Sequence, residues 1–172
     1  TMQMALSSEK YQQHRQRAAF IEQVLERVKS LPGVVSAGIT TNIPLAQPSI
    51  DSIFTVEGRP PANPGEVAIT ASRLVSSGYL ETLGATLVKG RLITEQDRAG
   101  STPVVVISEE LARQAWPGED PIGKRVRAGR FDQTDRPWLT VIGVVKDVKE
   151  DRFNFRINRP AWYIPYFEYG QY

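Results

Sequence analysis

From residue 11 to residue 29, Ala18, Ile21, Leu25 and Val28 recur at three- and four-residue steps, and Phe20 and Val24 widen the stripe. That period predicts an amphipathic helix. Ser7 or Ser8 offers an N-cap, and Glu9 stands in the first turn, where the helix dipole favours a negative charge. Arg27 and Lys29 suit the last turn, and Leu31-Pro32-Gly33 ends the helix. Weak alternation over 2–7, and clearer alternation over 34–41 through Val35, Ala37 and Ile39, predict a strand on either side. Strand, helix and strand in the first forty residues read as a βαβ-type unit, its helix packed across a sheet.

Alternation resumes over 52–58 and 67–75, separated by a proline-rich loop at 59–66, and a further loop occupies 42–49. Residues 76–84 predict a short helix capped by Ser76 or Ser77 and closed by Gly84. A strand-like fragment and a polar turn fill 86–102. Residues 103–108 form a short apolar run with the character of a buried strand. Ser108 then caps a helix over 109–116, with Glu109 and Glu110 in its first turn. The cation-rich stretch 124–130 reads as an edge strand. The longest apolar stretch, 136–148, reads as a central strand, and Gly143 marks a bulge or a close backbone approach. Residues 149–160 have room for a turn of helix. The segment 161–169 is β-like, with Pro165 arguing for an edge. On this pattern the fold class is α+β, with 76–130 forming a small α+β unit inserted between two parts of a larger one. There is no internal repeat or low-complexity tract.

Composition narrows the function. The chain has 172 residues with 41% hydrophobic content, enough for a core. Its 21 Lys and Arg and 19 Asp and Glu are interleaved, for a net charge of +2, without the cationic face of a nucleic-acid reader. Without cysteine there are no disulfides, thiolate metal sites or cysteine nucleophiles. No apolar run approaches the roughly 18–20 residues of a membrane-spanning helix, and the first residues lack the order of a signal peptide.

Several motifs invite chemistry. Gly118, Gly123 and Lys124 stand in the register of a phosphate-binding loop, with Arg125 in place of the final hydroxyl. A working loop follows a strand and opens a helix. Here a helix precedes and a strand follows, Pro121 has no N–H to offer, and Glu119 and Asp120 repel phosphate. The stretch therefore reads as a helix stop and strand entry. His14 is the only histidine and reads as helix surface, without companion ligands or a nucleophile elbow. Asp147 with Glu150 and Asp151, and Glu119 with Asp120, are paired carboxylates of the kind that cap and solvate turns. Acid–base use would need two of them in one cleft with separated pKa values. Trp116, Trp138, Trp162, Phe153 and Phe155 are core candidates, and the tail from Tyr166 to Tyr172 is aromatic enough to raise the question of a membrane interface.

In order and spacing, residues 31–45, 75–97, 104–126, 141–148 and 163–166 resemble the periplasmic core domain of MacB-type ABC transporter permeases. The specific pieces are G-R-x-x-T-x-x-D (Gly90, Arg91, Thr94, Asp97), L-A-x-x-x-W-P-G-x-D-P-I-G-K (Leu111 to Lys124) and V-I-G-V-V (Val141 to Val145). The resemblance runs from about residue 5 to 167 and is nearest to the long, often duplicated permeases of the superfamily.

That resemblance implies a two-lobed domain: a porter-like βαβ sandwich lobe from 1–75 and 131–172, and an inserted Sabre-like α+β lobe at 76–130. It implies a place on the periplasmic, extracytoplasmic face of the inner membrane, between two transmembrane helices. It also implies a non-enzymatic role in transmitting ATP-driven motion to export or release of an envelope substrate, with no catalytic, metal or cofactor residues to carry over. The implied partners are a cytoplasmic ABC ATPase acting through the transmembrane part, a second copy of the permease domain and a periplasmic adaptor or envelope protein, with no nucleic acid. Hinges are expected near 72–75 and 129–136. One competing reading is a stand-alone binding module for a lipid, peptide or small hydrophobic ligand, its cleft shaped by 42–51 and 59–66 with Asn42, Gln47 and Asp51 as polar contacts. Another is a hydrolase built on a carboxylate pair.

Overall fold

The structure, a computed structural model, describes residues 1–4, 13–43, 50–61, 63, 66–149 and 159–166, without the side chains of 14 and 15. Helix α1 spans His14–Lys29, strand β1 Ile50–Val56 and β2 Ala68–Val75. Helix α2 is the single turn Tyr79–Thr82, followed by β3 Leu87–Gly90 and β4 Val104–Ser108. Helix α3 covers Glu109–Ala115, and β5 Arg125–Ala128, β6 Leu139–Val145 and β7 Ala161–Pro165 complete the set. The class is α+β.

The strands form one sheet in the order β3-β6-β4-β7-β2-β1-β5, and β5 also pairs with β6. Strand β6 serves three neighbours: β4 along one side, β5 at Leu139 and Thr140 on the other, and β3 from Gly143 to Val145. The sheet thus closes on itself, and β5 is paired on both sides rather than lying at an edge. Closure removes open backbone, which explains how a cation-rich strand sits inside the ladder: Arg125 donates to Glu57 from Nε at 2.6 Å, and the buried Arg127 stacks on Trp138 at 4.5 Å. Strand β7 is internal too, between β2 and β4. Pro165 is tolerated because the β4 ladder touches only Trp162 and Tyr163, leaving no donor required at the proline. Strands β3, β4 and β5 of residues 76–130 share this sheet with β1, β2, β6 and β7 of the flanking segments, so any lobe boundary drawn there crosses hydrogen-bonded strands.

Alternation sorts the core into two clusters. Val105, Ile107, Trp162 and Ile164 join Phe54, Val126, Val141, Val144 and the α3 residues Leu111 and Ala115. Val106, Ala161 and Tyr163 point the other way, to Ala71, Val75, Val145, Ile93 and the α2 residues Tyr79 and Leu80. Strand β4 is buried throughout, as its unbroken apolar run predicts. Strand β6 carries one extra residue: Val105 opposes Val141, yet Val106 opposes Gly143. Ile142 is the bulge, and it returns Val144 to the face of Val141. Of the two alternatives expected at Gly143, a bulge or a close backbone approach, the close approach falls at Gly143 and the bulge beside it, at Ile142.

Other expectations need correction. Residues 34–41 do not form a strand: Thr40 makes an isolated bridge to Val75, Ile39 exchanges bonds with Ser76, and Val35 is wholly exposed. Gly38 is pressed onto the Tyr79 backbone, where any Cβ would clash, so the segment runs over the start of α2 instead of extending the ladder. Residues 2–4 are not a strand either, and the remainder of 2–7, with Ser7 and Ser8, lies outside the described residues. The N-terminal βαβ unit is thus not formed among the described residues. Ser76 and Ser77 do not cap α2, whose cap is the left-handed Gly78 (φ 79°). The Ser76 hydroxyl is taken by the Ile39 N–H at 2.9 Å. Residues 150–158 and 167–172, with the expected helical turn, Phe153, Phe155 and most of the aromatic tail, lie outside the described residues.

Candidate functional site

The stretch from Gly118 to Arg125 is a tie between elements. Gly118 (φ 74°) and Gly123 (φ 81°) occupy left-handed positions that glycine adopts without steric cost. The Gly123 N–H reaches the Val141 carbonyl at 2.9 Å and the Val141 N–H reaches Lys124 at 2.8 Å, which locks the turn onto β6. Glu119 accepts ion pairs from both Arg59 and Lys124, and Arg59 also donates to the Ala115 carbonyl at 2.7 Å. Asp120 receives the Lys89 ammonium at 2.6 Å and the Ile122 N–H at 3.1 Å. Lys124 lies 5.7 Å over the Trp116 ring. Every charge a phosphate would need is already matched by a neighbour.

The same contacts bear on acid–base chemistry. Hydrogen bonds from Lys124 and Arg59 hold the Glu119 carboxyl below its ordinary range, and those from Lys89 and the Ile122 N–H do so for Asp120. Both shifts run downward, whereas a catalytic pair needs them pushed apart. Asp147 accepts from the Glu110 N–H at 2.9 Å, at the start of α3. It is a helix-end acceptor, and its expected companions Glu150 and Asp151 lie outside the described residues. His14 stands at the first position of α1.

Of the polar contacts expected from Asn42, Gln47 and Asp51, the described ones are bonded within the chain. The Asn42 carbonyl accepts from Arg73, which is completely buried on the Ala71–Val75 face of β2. Asp51 takes two bonds of 2.8 Å from Arg159, and Gln47 lies outside the described residues. Arg59, Pro61 and Glu66 line a groove of about 530 Å³ with Phe54, Ala115 and Phe131, and no described residue of 42–51 lines it. Among the described residues no group of three or more His, Asp or Glu side chains is placed to hold a metal ion.

The motif residues do converge, on one another. Arg91 reaches the two oxygens of buried Asp97 at 2.7 and 2.8 Å, and the Thr94 N–H and hydroxyl reach Asp97 at 2.8 and 3.1 Å. Burial pushes the Asp97 carboxyl up, but these bonds and the Arg91 charge outweigh it, so its pKa is lowered. G-R-x-x-T-x-x-D is therefore a self-contained staple that folds the chain back after β3. Gly90 (φ 73°) meets the Ile142 carbonyl, and Gly143 of V-I-G-V-V meets the Arg91 carbonyl, so close that a Cβ on either would overlap it. Leu111 and Trp116 of the third motif are buried in the core.

A family model for the MacB-like periplasmic core domain matches residues 4–172. The chain belongs to that family. The macrolide export ATP-binding/permease protein MacB of Aggregatibacter actinomycetemcomitans is 36% identical over 85 residues, which is 48% of this chain and 12% of that protein. The crystal structure of the periplasmic region of MacB from Actinobacillus actinomycetemcomitans matches with a TM-score of 0.55 at 23% identity, over 84% of this chain and 54% of that one. The extracellular domain of the noncanonic ABC-type transporter YknZ from Gram-positive bacteria matches at 0.54 and 19%, over 84% and 62%. At these identities the structural likeness is one of fold. The chain spans about an eighth of the curated relative's length (12%). It is a periplasmic domain of the MacB-like permease type, from a family of ABC transporter components. No helix among the described residues is long and apolar enough to cross a membrane.

In this MacB-like domain the stretch Gly118–Arg125 is the helix stop and strand entry that its flanks predict. What sequence reading missed is the double role of Ser108. Its hydroxyl accepts the Leu111 N–H at 3.2 Å as the α3 cap and the Ala161 N–H at 3.0 Å from β7. The cap was visible in the sequence; the second bond depends on a strand 53 residues away.

Proposed function

We propose that this chain is a non-enzymatic, extracytoplasmic coupling domain of an ABC-type permease, carrying ATP-driven motion from the membrane part to the export or release of an envelope substrate. The observation that carries this reading is the use of the family motifs: Arg91, Thr94, Asp97, Gly143 and the turn around Lys124 all bind the chain to itself. A sheet closed through β5 and β6 makes a stiff body, and stiffness suits a part that passes on displacement. Its proposed partners are a cytoplasmic ATPase reached through flanking transmembrane segments, a second permease domain, and a periplasmic adaptor or envelope protein.

No hinge lies at 72–75, because those residues belong to β2 and pair with 162–165 of β7. The stretch 129–136 remains as a flexing point: it is an exposed turn, folded back where the Arg130 N–H meets Gln133 at 2.8 Å. The test is cysteine crosslinking of paired domains in the full-length permease, with and without ATP. Coupling predicts crosslinks that differ between nucleotide states, and identical yields in all states would refute it.

A further inference from the structure

We infer that α1 is a detachable lever, which lifts off the body as a unit while the closed sheet stays intact. Among residues 16–29, the part of α1 whose side chains are described, only Ile21 and Leu25 are buried, and neither belongs to the two core clusters. Among the described elements no strand or helix packs along its length. Space opens on both flanks instead. A cavity of about 320 Å³ lies between Ala18, Glu22 and Leu25 of α1 and Ile93, Asp97 and Ala99. A second of about 450 Å³ lies between Ile21 and the α2 residues Tyr79 and Thr82.

Polar fastening is slight. Among the described residues the one ion pair from α1 joins Lys29 to Glu95 at 3.4 Å, with both side chains exposed. The Arg17 charge reaches Tyr166 just beyond β7. The helix begins at Gln13 without a side-chain cap and without an acid in its first turn. Its C-terminal end leads into a turn with Gly33 in the left-handed region (φ 84°) and Val35 wholly exposed. The chain is next secured at Ser36, which meets the Thr82 hydroxyl at 3.1 Å, and then at Ile39, by its bonds to Ser76. The segment between Ser30 and Ser36 is therefore the pivot. Elements with few buried apolar contacts open at lower free energy than the core. Where the domain transmits motion, which rests on the reading above, α1 is the part that moves against the sheet.

Hydrogen–deuterium exchange on the 172-residue chain tests this. Amides of 18–29 are expected to exchange at least about tenfold faster than those of β4 and β6, the mark of local opening. Ala18→Leu, which fills the smaller cavity, should slow α1 and leave β4 unchanged. Glu95→Lys, a surface change that sets two cations together, should speed α1 alone. Equal exchange in α1 and β4, or variants that move both together, would overturn the lever. That failure would leave the coupling role standing, because coupling is judged by the nucleotide response of the full permease.

Discussion

Gly90 and Gly143 stand opposite one another in the β3–β6 ladder. A Cβ on Gly143 would overlap the carbonyl of Arg91, and one on Gly90 would overlap the carbonyl of Ile142. Two of the family motifs thus meet backbone to backbone, and this crossing sets where the Arg91–Asp97 staple begins.

Gly143→Ala is expected to destabilise the domain by about 1–3 kcal/mol, the usual cost of forcing atoms into a packed site. Urea denaturation reads it as a lower midpoint with an unchanged slope. An unaltered midpoint would show that the crossing is slack.

Asp97→Asn should cost about 1–3 kcal/mol at neutral pH, since it weakens charge-assisted bonds at a buried acceptor while Arg91 stays half exposed. The pH dependence has a definite sign. The folded pKa of Asp97 is lowered, so its contribution is present above the unfolded value of about 3.9 and is lost as pH falls through the folded value. Wild type and variant should therefore differ from about pH 5 upward and converge in acid. A difference that grows as pH falls would contradict the staple.

Ser108→Ala removes the α3 cap and leaves the Ala161 N–H facing an apolar pocket, a loss of about 2 kcal/mol. Thermal melts that place it within the scatter of surface variants would show that the second bond carries no weight.

Lys124→Ala should shift stability by less than about 1 kcal/mol, because its ion pair with Glu119 is solvent-exposed. Nucleotide with magnesium should leave the melting temperature of wild type and variant unmoved. A stabilising shift lost in the variant would show a phosphate site at this turn after all.

Much of the fold was legible in the sequence because its signals are local. The stripe of Ile21 and Leu25, the unbroken run from Val104 to Ile107 and the Ser108 cap each declare an element within a few residues. The errors all concern what lies beside an element. Pro165 and the cations of 124–130 read as edge signals, yet β7 and β5 are internal, since ladder partners come from distant segments. Residues 34–41 alternate like a strand, but Gly38 is held against Tyr79 and the ladder is limited to one bridge. For the site, flanking elements and Pro121 already argue against phosphate chemistry at Lys124, and Glu119 and Asp120 read as turn carboxylates. Only the positions of Arg59 and Lys89, 60 and 31 residues from their partners, show those charges already matched.

The most direct test of the central claim is a spin-label distance measurement in the full-length permease, with the label at Val35, the fully exposed residue beyond α1, in each of two paired copies. A coupling domain predicts distance distributions that shift between the nucleotide-free and ATP-bound states. Distributions that coincide in every nucleotide state, in a permease that still hydrolyses ATP, would contradict it.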